Sequence, residues 1–419
     1  MLSIAEEFCV APCVSVDCAE TEKFIRHTNE DVFQMADDLQ NLHDMNRKTE
    51  LTRMSKEYGL NFVLNGLLFI KEIRSFYRPV SHQIRDWMHM ICNGGVANTE
   101  LGLLLQVLLH IGIPLLQIQN FIVSVTLPSK HGKVERQWLG DNRIQDDNLK
   151  SFASVVCTLV PIMVLFLDEV VCQEIREMIA DHLLCLRILR DIIGILSLGA
   201  DDAVPHVGKL REYLHLHAKL FRKLYPLAAK PKFHHLLHLV DNIEFLGKLL
   251  SCFVTERKHR QSKKSALHVF RHMEHTVLAD MVNKFCGAMT SGKLFRRMAL
   301  IDPRPQYLPH SVGLQLMRAT AALLPCGQIA AGDIVYLTNH VVGRVAGFWG
   351  EDGDPDNITV EIHAFARESA DCPNIVRERS ASTIYEVAES IIDACVWLYK
   401  DEGLIQVIEP FAARDLSKL

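Results

Sequence analysis

Two short segments set a carboxylate among polar and basic neighbours: Arg85-Asp86-Trp87-Met88-His89, and Phe253-Val254-Thr255-Glu256-Arg257-Lys258-His259-Arg260. On a helix Asp86 and His89 stand three residues apart on one face, so both side chains can approach one cation or bond each other. The plainer alternative is that Asp86 caps a helix start after Pro79 and Ser81, with His89 as its neighbour. In the second segment Glu256 precedes Arg260 by one turn, and Arg257, Arg260, Lys264 and Arg271 fall in a narrow stripe at about 100° per residue. That face is either solvated or a contact for phosphates beside a carboxylate.

Other constellations are weaker. His234 and His238 have the i, i+4 spacing of zinc ligands, but no Glu follows His234 as in H-E-x-x-H. Cys9, Cys13 and Cys18 with His27 lack the short C-x-x-C spacing of zinc sites. The loop 351–357 carries oxygen ligands without the spacing or terminal Glu of an EF-hand, and reads as a solvated hairpin loop. No phosphate-binding glycine loop, dinucleotide-binding turn or nucleophile elbow occurs, so kinase, dehydrogenase and esterase chemistry lose their main support.

The elements that must position these residues are mostly helical. Residues 29–59 place acids early and Lys or Arg late, as helix dipoles favour, and fit one or two amphipathic helices. Residues 100–125, 148–167 and 174–198 are apolar nearly all round, and prolines punctuate helices in 201–226 and 231–250, so 100–250 is predicted all-α. After Arg297 the texture changes: Asp302-Pro303-Arg304-Pro305 reads as the start of a linker, and residues 333–337, 341–348, 358–364, 394–399 and 404–408 read as strands. Five short strands suggest a small SH3-like or OB-like barrel.

Composition narrows the setting. The chain has 419 residues, enough for two or three cores. Its net charge is −5, so any hold on nucleic acid must come from a local patch. The apolar stretch 152–167 is shorter than a spanning helix and contains Ser154, Thr158 and Pro161, so it reads as a buried helix and no membrane partner is expected. Glu6 and Glu7 stand where a signal peptide would be basic or apolar, and the 12 scattered cysteines fit a reducing compartment, giving an intracellular expectation.

Asp86-Trp87-Met88-His89, Pro231-Lys232-Phe233-His234 and Thr255-Glu256-Arg257-Lys258-His259, in this order, resemble the D-x-M-H, P-K-x-H and F-E-x-K-H texts of RNase H-like DDE transposases of the KDZ and Plavaka sort. The resemblance covers roughly residues 60–290. It implies an RNase H-like fold in which three carboxylates bind two Mg²⁺ ions for phosphodiester transfer, with a helical insertion between the second and third. Asp86 would match the second carboxylate and Glu256 the third, supported by His89 and His259. Trp87 and Thr255 stand where the family texts carry Pro and an aromatic, and residues 1–60 offer no strand ending in the first Asp, so the chain is expected to begin after it.

The expected fold class is therefore α-rich α+β: an N-terminal helical segment (1–60), a partial RNase H-like region (61–300) interrupted by an all-helical insertion (about 100–250), a linker (301–325) and a small β-barrel-like domain (326–419). The resemblance implies a truncated or degenerate transposase-derived protein, nuclear, touching DNA through Arg257, Lys258, Arg260, Lys263, Lys264 and Arg271, with little or no strand transfer. A chromatin- or peptide-binding module anchored by Tyr336, Phe348 and Trp349 is one alternative. A metal-dependent hydrolase built on Asp86, His89, His234 and His238 is another.

Overall fold

The computed structural model describes residues 27–80, 82, 84–145, 148–228, 230–253, 266–267, 273–290, 298–307, 315–351, 357–368, 375–400 and 403–408. Contacts divide the chain into two compact units: Met1–Val107, Ile144–Val164 and Cys172–Cys252 form the first, and Leu108–Arg143, Leu165–Val171 and Phe253–Leu419 the second.

The first unit is helical. Helix α1 (Asn29–Asp44) opens with a reciprocal capping box in which the Thr28 side chain accepts from the Asp31 amide and Asp31 accepts from the Thr28 amide. Helix α2 (Lys48–Tyr58) stops at Gly59, whose φ of 66° suits a residue without Cβ. These are the two amphipathic helices expected for 29–59. Val32, Ala36 and Leu39 pack with Leu60 and Leu68 into a small core. Arg74 closes its edge by binding both oxygens of Asp37, which holds that carboxyl below its usual range.

The stretch 100–250 is helical with interruptions: α3 (Val96–His110), α4 (Leu115–Ser124), α5 (Ala153–Glu169), α6 (Gln173–Met178), α7 (Ala180–Ser197), α8 (Val207–Leu224), α9 (Pro231–Leu237) and α10 (Leu239–Leu246). Of these, α4 belongs to the second unit, as does a further helix, α11 (Met273–Thr290). Gly112 and Pro114 separate α3 from α4, which reads as one helix from hydropathy alone. A two-stranded hairpin, β1 (Ile144–Gln145) and β2 (Asn148–Leu149), breaks the all-α expectation. It is held by Asn98, which donates to Leu149 O at 2.7 Å, and by Gly102, where a Cβ would lie 2.6 Å from the Asn148 carbonyl carbon. Helix α5 carries the apolar stretch expected to be buried, and Val156, Leu159, Val160, Ile162, Met163 and Phe166 are fully so. No helix among the described residues is long and apolar enough to cross a membrane.

The second unit is dominated by antiparallel strands: β3 (Ala299–Ile301), β4 (Arg304–Tyr307), β5 (Gln315–Ala319), β6 (Ala321–Leu324), β7 (Gly327–Ala330), β8 (Ile334–Leu337), β9 (Val342–Gly350), β10 (Thr359–Arg367), β11 (Ile375–Val387), β12 (Ile391–Ala394), β13 (Val396–Tyr399) and β14 (Leu404–Ile408). The main sheet runs β12-β8-β9-β10-β11-β14-β13, with β5 also paired to β9 and β4 to β5; β3, β6 and β7 form a second sheet. All five expected strands are present. The described strands do not close into a barrel, because β12 and β13 end an open path. Residues 301–325, expected as a linker, hold β4, β5 and β6; Pro305 is accommodated because β4 lies at an edge, paired only to β5. Alternation in β10 buries Val360 and Ile362, with Ile358 just before them, against Phe348 and Leu337.

Segment 108–143 belongs to this unit and not to a separate helical insertion. Thr126 exchanges backbone hydrogen bonds with Trp397, Ser129 donates twice to Asp333, and Lys130 bonds Asp393 at 2.6 Å and Cys326 O at 2.9 Å.

Candidate functional site

The site lies where residues 84–93 meet α9 and the chain after α10. Trp87, Met88, Met90, Ile91 and Cys92 are buried, which turns Asp86 and His89 to the opposite side of the turn. Residues Met88–Cys92 form a π-helical turn, closed by the Asn93 amide on Met88 O at 3.1 Å. Such wide turns recur at functional sites. Gly95 lets the chain leave the turn tightly, since a Cβ there would sit 2.0 Å from Met90 O.

Asp86 begins this turn as a cap. Its backbone carbonyl accepts from Met90 N, and Oδ2 accepts from His89 N at 3.1 Å. The same oxygen takes a very short hydrogen bond from His89 Nδ1, while Oδ1 accepts from Cys252 N at 2.8 Å. A carboxylate offers about four lone-pair directions, and three protein donors occupy this one. The expected Asp86–His89 approach on one face is therefore real, and so is the capping alternative: the two are the same geometry.

Lys232 joins the second motif segment to the first. Pro231 opens α9 at its first position, and Lys232 Nζ donates to Asn93 O at 3.0 Å and His89 O at 3.4 Å, capping the C-terminal end of the π-helical turn. Phe233 is buried against Phe221, ring centroids 4.3 Å apart. Asn242 on α10 accepts from Arg85 N at 3.0 Å, fixing the approach to Asp86 from the other side.

The four-ligand set Asp86, His89, His234 and His238 is not assembled. His234 and His238 close on each other, Nε2 to Nε2 at 3.0 Å, and His238 Nδ1 faces Asp241 Oδ2 at 3.3 Å. Arg211 pairs with Asp241 and Glu244, so this string of groups braces α8 against α10. Asp86 and His89 instead gather Cys252, and the three offer ligand atoms all within 4.8 Å of one another. Cys252 was missed from the sequence because nothing in its neighbourhood marks a thiol as special.

The resemblance implies Mg²⁺, which takes hard oxygen ligands in octahedral array. Among the described residues, the set at Asp86 supplies one carboxylate, one imidazole and one thiol, a combination that suits a softer ion and does not fit Mg²⁺. Glu256, His259 and the basic residues Arg257, Lys258, Arg260, Lys263, Lys264 and Arg271 lie outside the described residues, as do Cys9, Cys13, Cys18 and most of the 351–357 loop.

The aromatic anchors expected of a binding module are core residues. Phe348 is fully buried, and Tyr336 and Trp349 are 6% and 7% exposed. Trp349 Nε1 donates to Glu361 Oε2 at 3.0 Å, and Arg318 lies over its ring at 5.0 Å while pairing with the same carboxylate. With Nε1 bonded within the fold, Arg318 over the ring and only 7% of the residue exposed, the indole offers little surface to a peptide.

A second mixed set, Glu100, Cys185 and His217, is buried elsewhere in the first unit. The buried run Asn98-Thr99-Glu100 at the head of an apolar helix is the sequence signal that could have exposed it. No protein-family profile matches the chain, and no curated protein matches it.

Proposed function

We propose that the chain is a transposase-derived protein whose RNase H-like region no longer performs strand transfer, and which contacts DNA through Arg257, Lys258, Arg260, Lys263, Lys264 and Arg271. The observation that carries the reading is the state of Asp86: its carboxylate is spent on the Cys252 amide, the His89 amide and the His89 ring. A metal-binding carboxylate keeps its lone pairs for the ion, and two-metal chemistry needs several such groups around one phosphate. Here the capping geometry that organises a catalytic loop persists while its acid serves the backbone. The junction of the D-x-M-H and P-K-x-H segments through Lys232 supports a common origin for the two motifs in one ancestral site.

DNA contact on this reading is electrostatic. Six cations within fifteen residues displace counterions from the phosphate backbone, so affinity falls steeply with salt and depends little on sequence. The protein would then act in the nucleus as a DNA-associated relic.

The test uses the full chain, supercoiled plasmid and labelled duplex with either Mg²⁺ or Mn²⁺. The proposal expects salt-sensitive binding and no nicking or end joining above the background of a Glu256→Ala variant. Metal-dependent nicking that Asp86→Asn abolishes would overturn it, as would failure to bind duplex at about 50 mM salt, where even weak phosphate contacts hold.

A further inference from the structure

The first unit contains a polar cluster that the DNA reading does not use. Glu100 on α3, Cys185 on α7 and His217 on α8 point into one place between three helices, and their side chains are 1%, 0% and 2% exposed. His217 Nε2 and Glu100 Oε2 are 2.6 Å apart, and the oxygen, nitrogen and sulfur ligand atoms all lie within 4.8 Å of one another.

As a hydrogen-bonded pair alone, this arrangement is incomplete. Glu100 Oε1 is buried without a well-formed hydrogen bond, and beyond His217 the carboxylate meets the Cys185 thiol, which is a weak donor. A buried carboxylate oxygen that lacks a strong donor is unfavourable. A buried carboxylate, imidazole and thiol then converge with only one strong hydrogen bond among them. A divalent cation completes the set: its two positive charges balance one carboxylate and one thiolate, with neutral imidazole as third ligand, and the buried site becomes neutral overall.

We propose that Glu100, Cys185 and His217 form a buried Zn²⁺ site that ties α3 to α7 and α8. Oxygen, nitrogen and sulfur from three protein residues are a zinc donor set, with the fourth position left for a ligand from outside this trio. On binding, the Cys185 thiol proton and the proton shared by His217 and Glu100 leave, and Zn²⁺ takes their place. Tetrahedral bonds of about 2.0–2.3 Å hold ligand atoms about 3.4 Å apart, so the His217–Glu100 contact opens slightly while the sulfur closes in. The role is structural, because none of the three side chains reaches solvent. The proposal does not depend on the DNA-binding reading and its test involves no DNA.

The experiment measures metal content of the full chain purified without chelator, and the absorption of the chain reconstituted with Co²⁺. The wild type is expected to hold about one equivalent of Zn²⁺ at this site and to show a thiolate-to-cobalt charge-transfer band. Cys185→Ala, which keeps a small buried apolar side chain, should lose one equivalent and the band, and a chelator should lower the wild-type midpoint to that of the variant. Cys172→Ser, at an exposed position, should keep both. Wild-type protein without stoichiometric metal overturns the proposal, and so does a Cys185→Ala variant that retains the wild-type zinc content and cobalt spectrum.

Discussion

Truncating Asp86 separates the two roles a carboxylate could play at the head of the π-helical turn. Asp86→Ala removes the acceptor of the Cys252 amide, the His89 amide and the His89 ring in one step. Loss of the cap alone costs about 1 kcal/mol. Loss of the hydrogen bond from the Cys252 amide, at a place where the Asp86 side chain is only 16% exposed, adds about 1 kcal/mol, and the charge-assisted bond to the ring adds about 1–2 kcal/mol. These terms overlap, so a loss of about 3 kcal/mol is expected. With an m-value of about 2 kcal/mol/M in urea, the midpoint of the first unit falls by about 1.5 M. Trp87, the one tryptophan within the sequence of that unit, is buried beside the substitution and reports its unfolding by fluorescence. Asp86→Asn keeps one acceptor and should lose about 1 kcal/mol. A carboxylate held for a metal behaves oppositely, since neutralising it in metal-free protein relieves desolvation. A stabilised Asp86→Asn, or an Asp86→Ala midpoint within about 0.3 M of wild type, would refute the structural assignment.

Three further outcomes follow from the same geometry. Gly95→Ala places a Cβ against Met90 O and should cost about 2 kcal/mol or more in the urea transition; a wild-type midpoint would mean the exit from the turn is not as described. Burial lowers the His182 imidazole below its ordinary 6.5, against the opposing pull of Asp181 and Glu100. The folded state therefore binds this proton less readily than the unfolded chain, so its contribution is complete above pH 6.5 and is lost as pH falls through the folded value; His182→Gln should flatten that acid limb, and an unchanged slope would contradict it. Thiol alkylation followed by mass spectrometry should label exposed Cys172 before Cys92, whose thiol is held up by its hydrogen bond to Cys157 and by burial, and before Cys326, pushed up to about 11 by burial; early labelling of either would be inconsistent with this packing.

The sequence announces what depends on periodicity and caps. Thr28 with Asp31, Gly59, Pro231 and the alternation through β10 each state their local structure in a few residues, and the elements form where those signals stand. Long-range pairing is silent. β11 went unread because Arg377-Glu378-Arg379-Ser380 interrupts any apolar alternation, yet it pairs with β10 and β14 and is the longest strand described. Pro305 reads as a linker residue because an edge position cannot be told from a loop by composition. Asp86 and His89 were legible as a pair by spacing, whereas Cys252 and Lys232 join them only through tertiary contacts. The anchors Tyr336, Phe348 and Trp349 failed for the opposite reason: an aromatic residue in a strand looks the same whether it faces a partner or the core.

The measurement closest to the central claim is the salt dependence of duplex binding by the full chain, compared with a variant in which Arg257, Lys258, Arg260, Lys263, Lys264 and Arg271 are all Ala. If about five of these side chains meet phosphates, log affinity should fall against log salt with a slope of about −4 to −5, and the variant should lose most of that slope and bind far more weakly at low salt. Equal slopes and affinities for the two proteins would contradict the account, because these six residues would then carry none of the DNA contact.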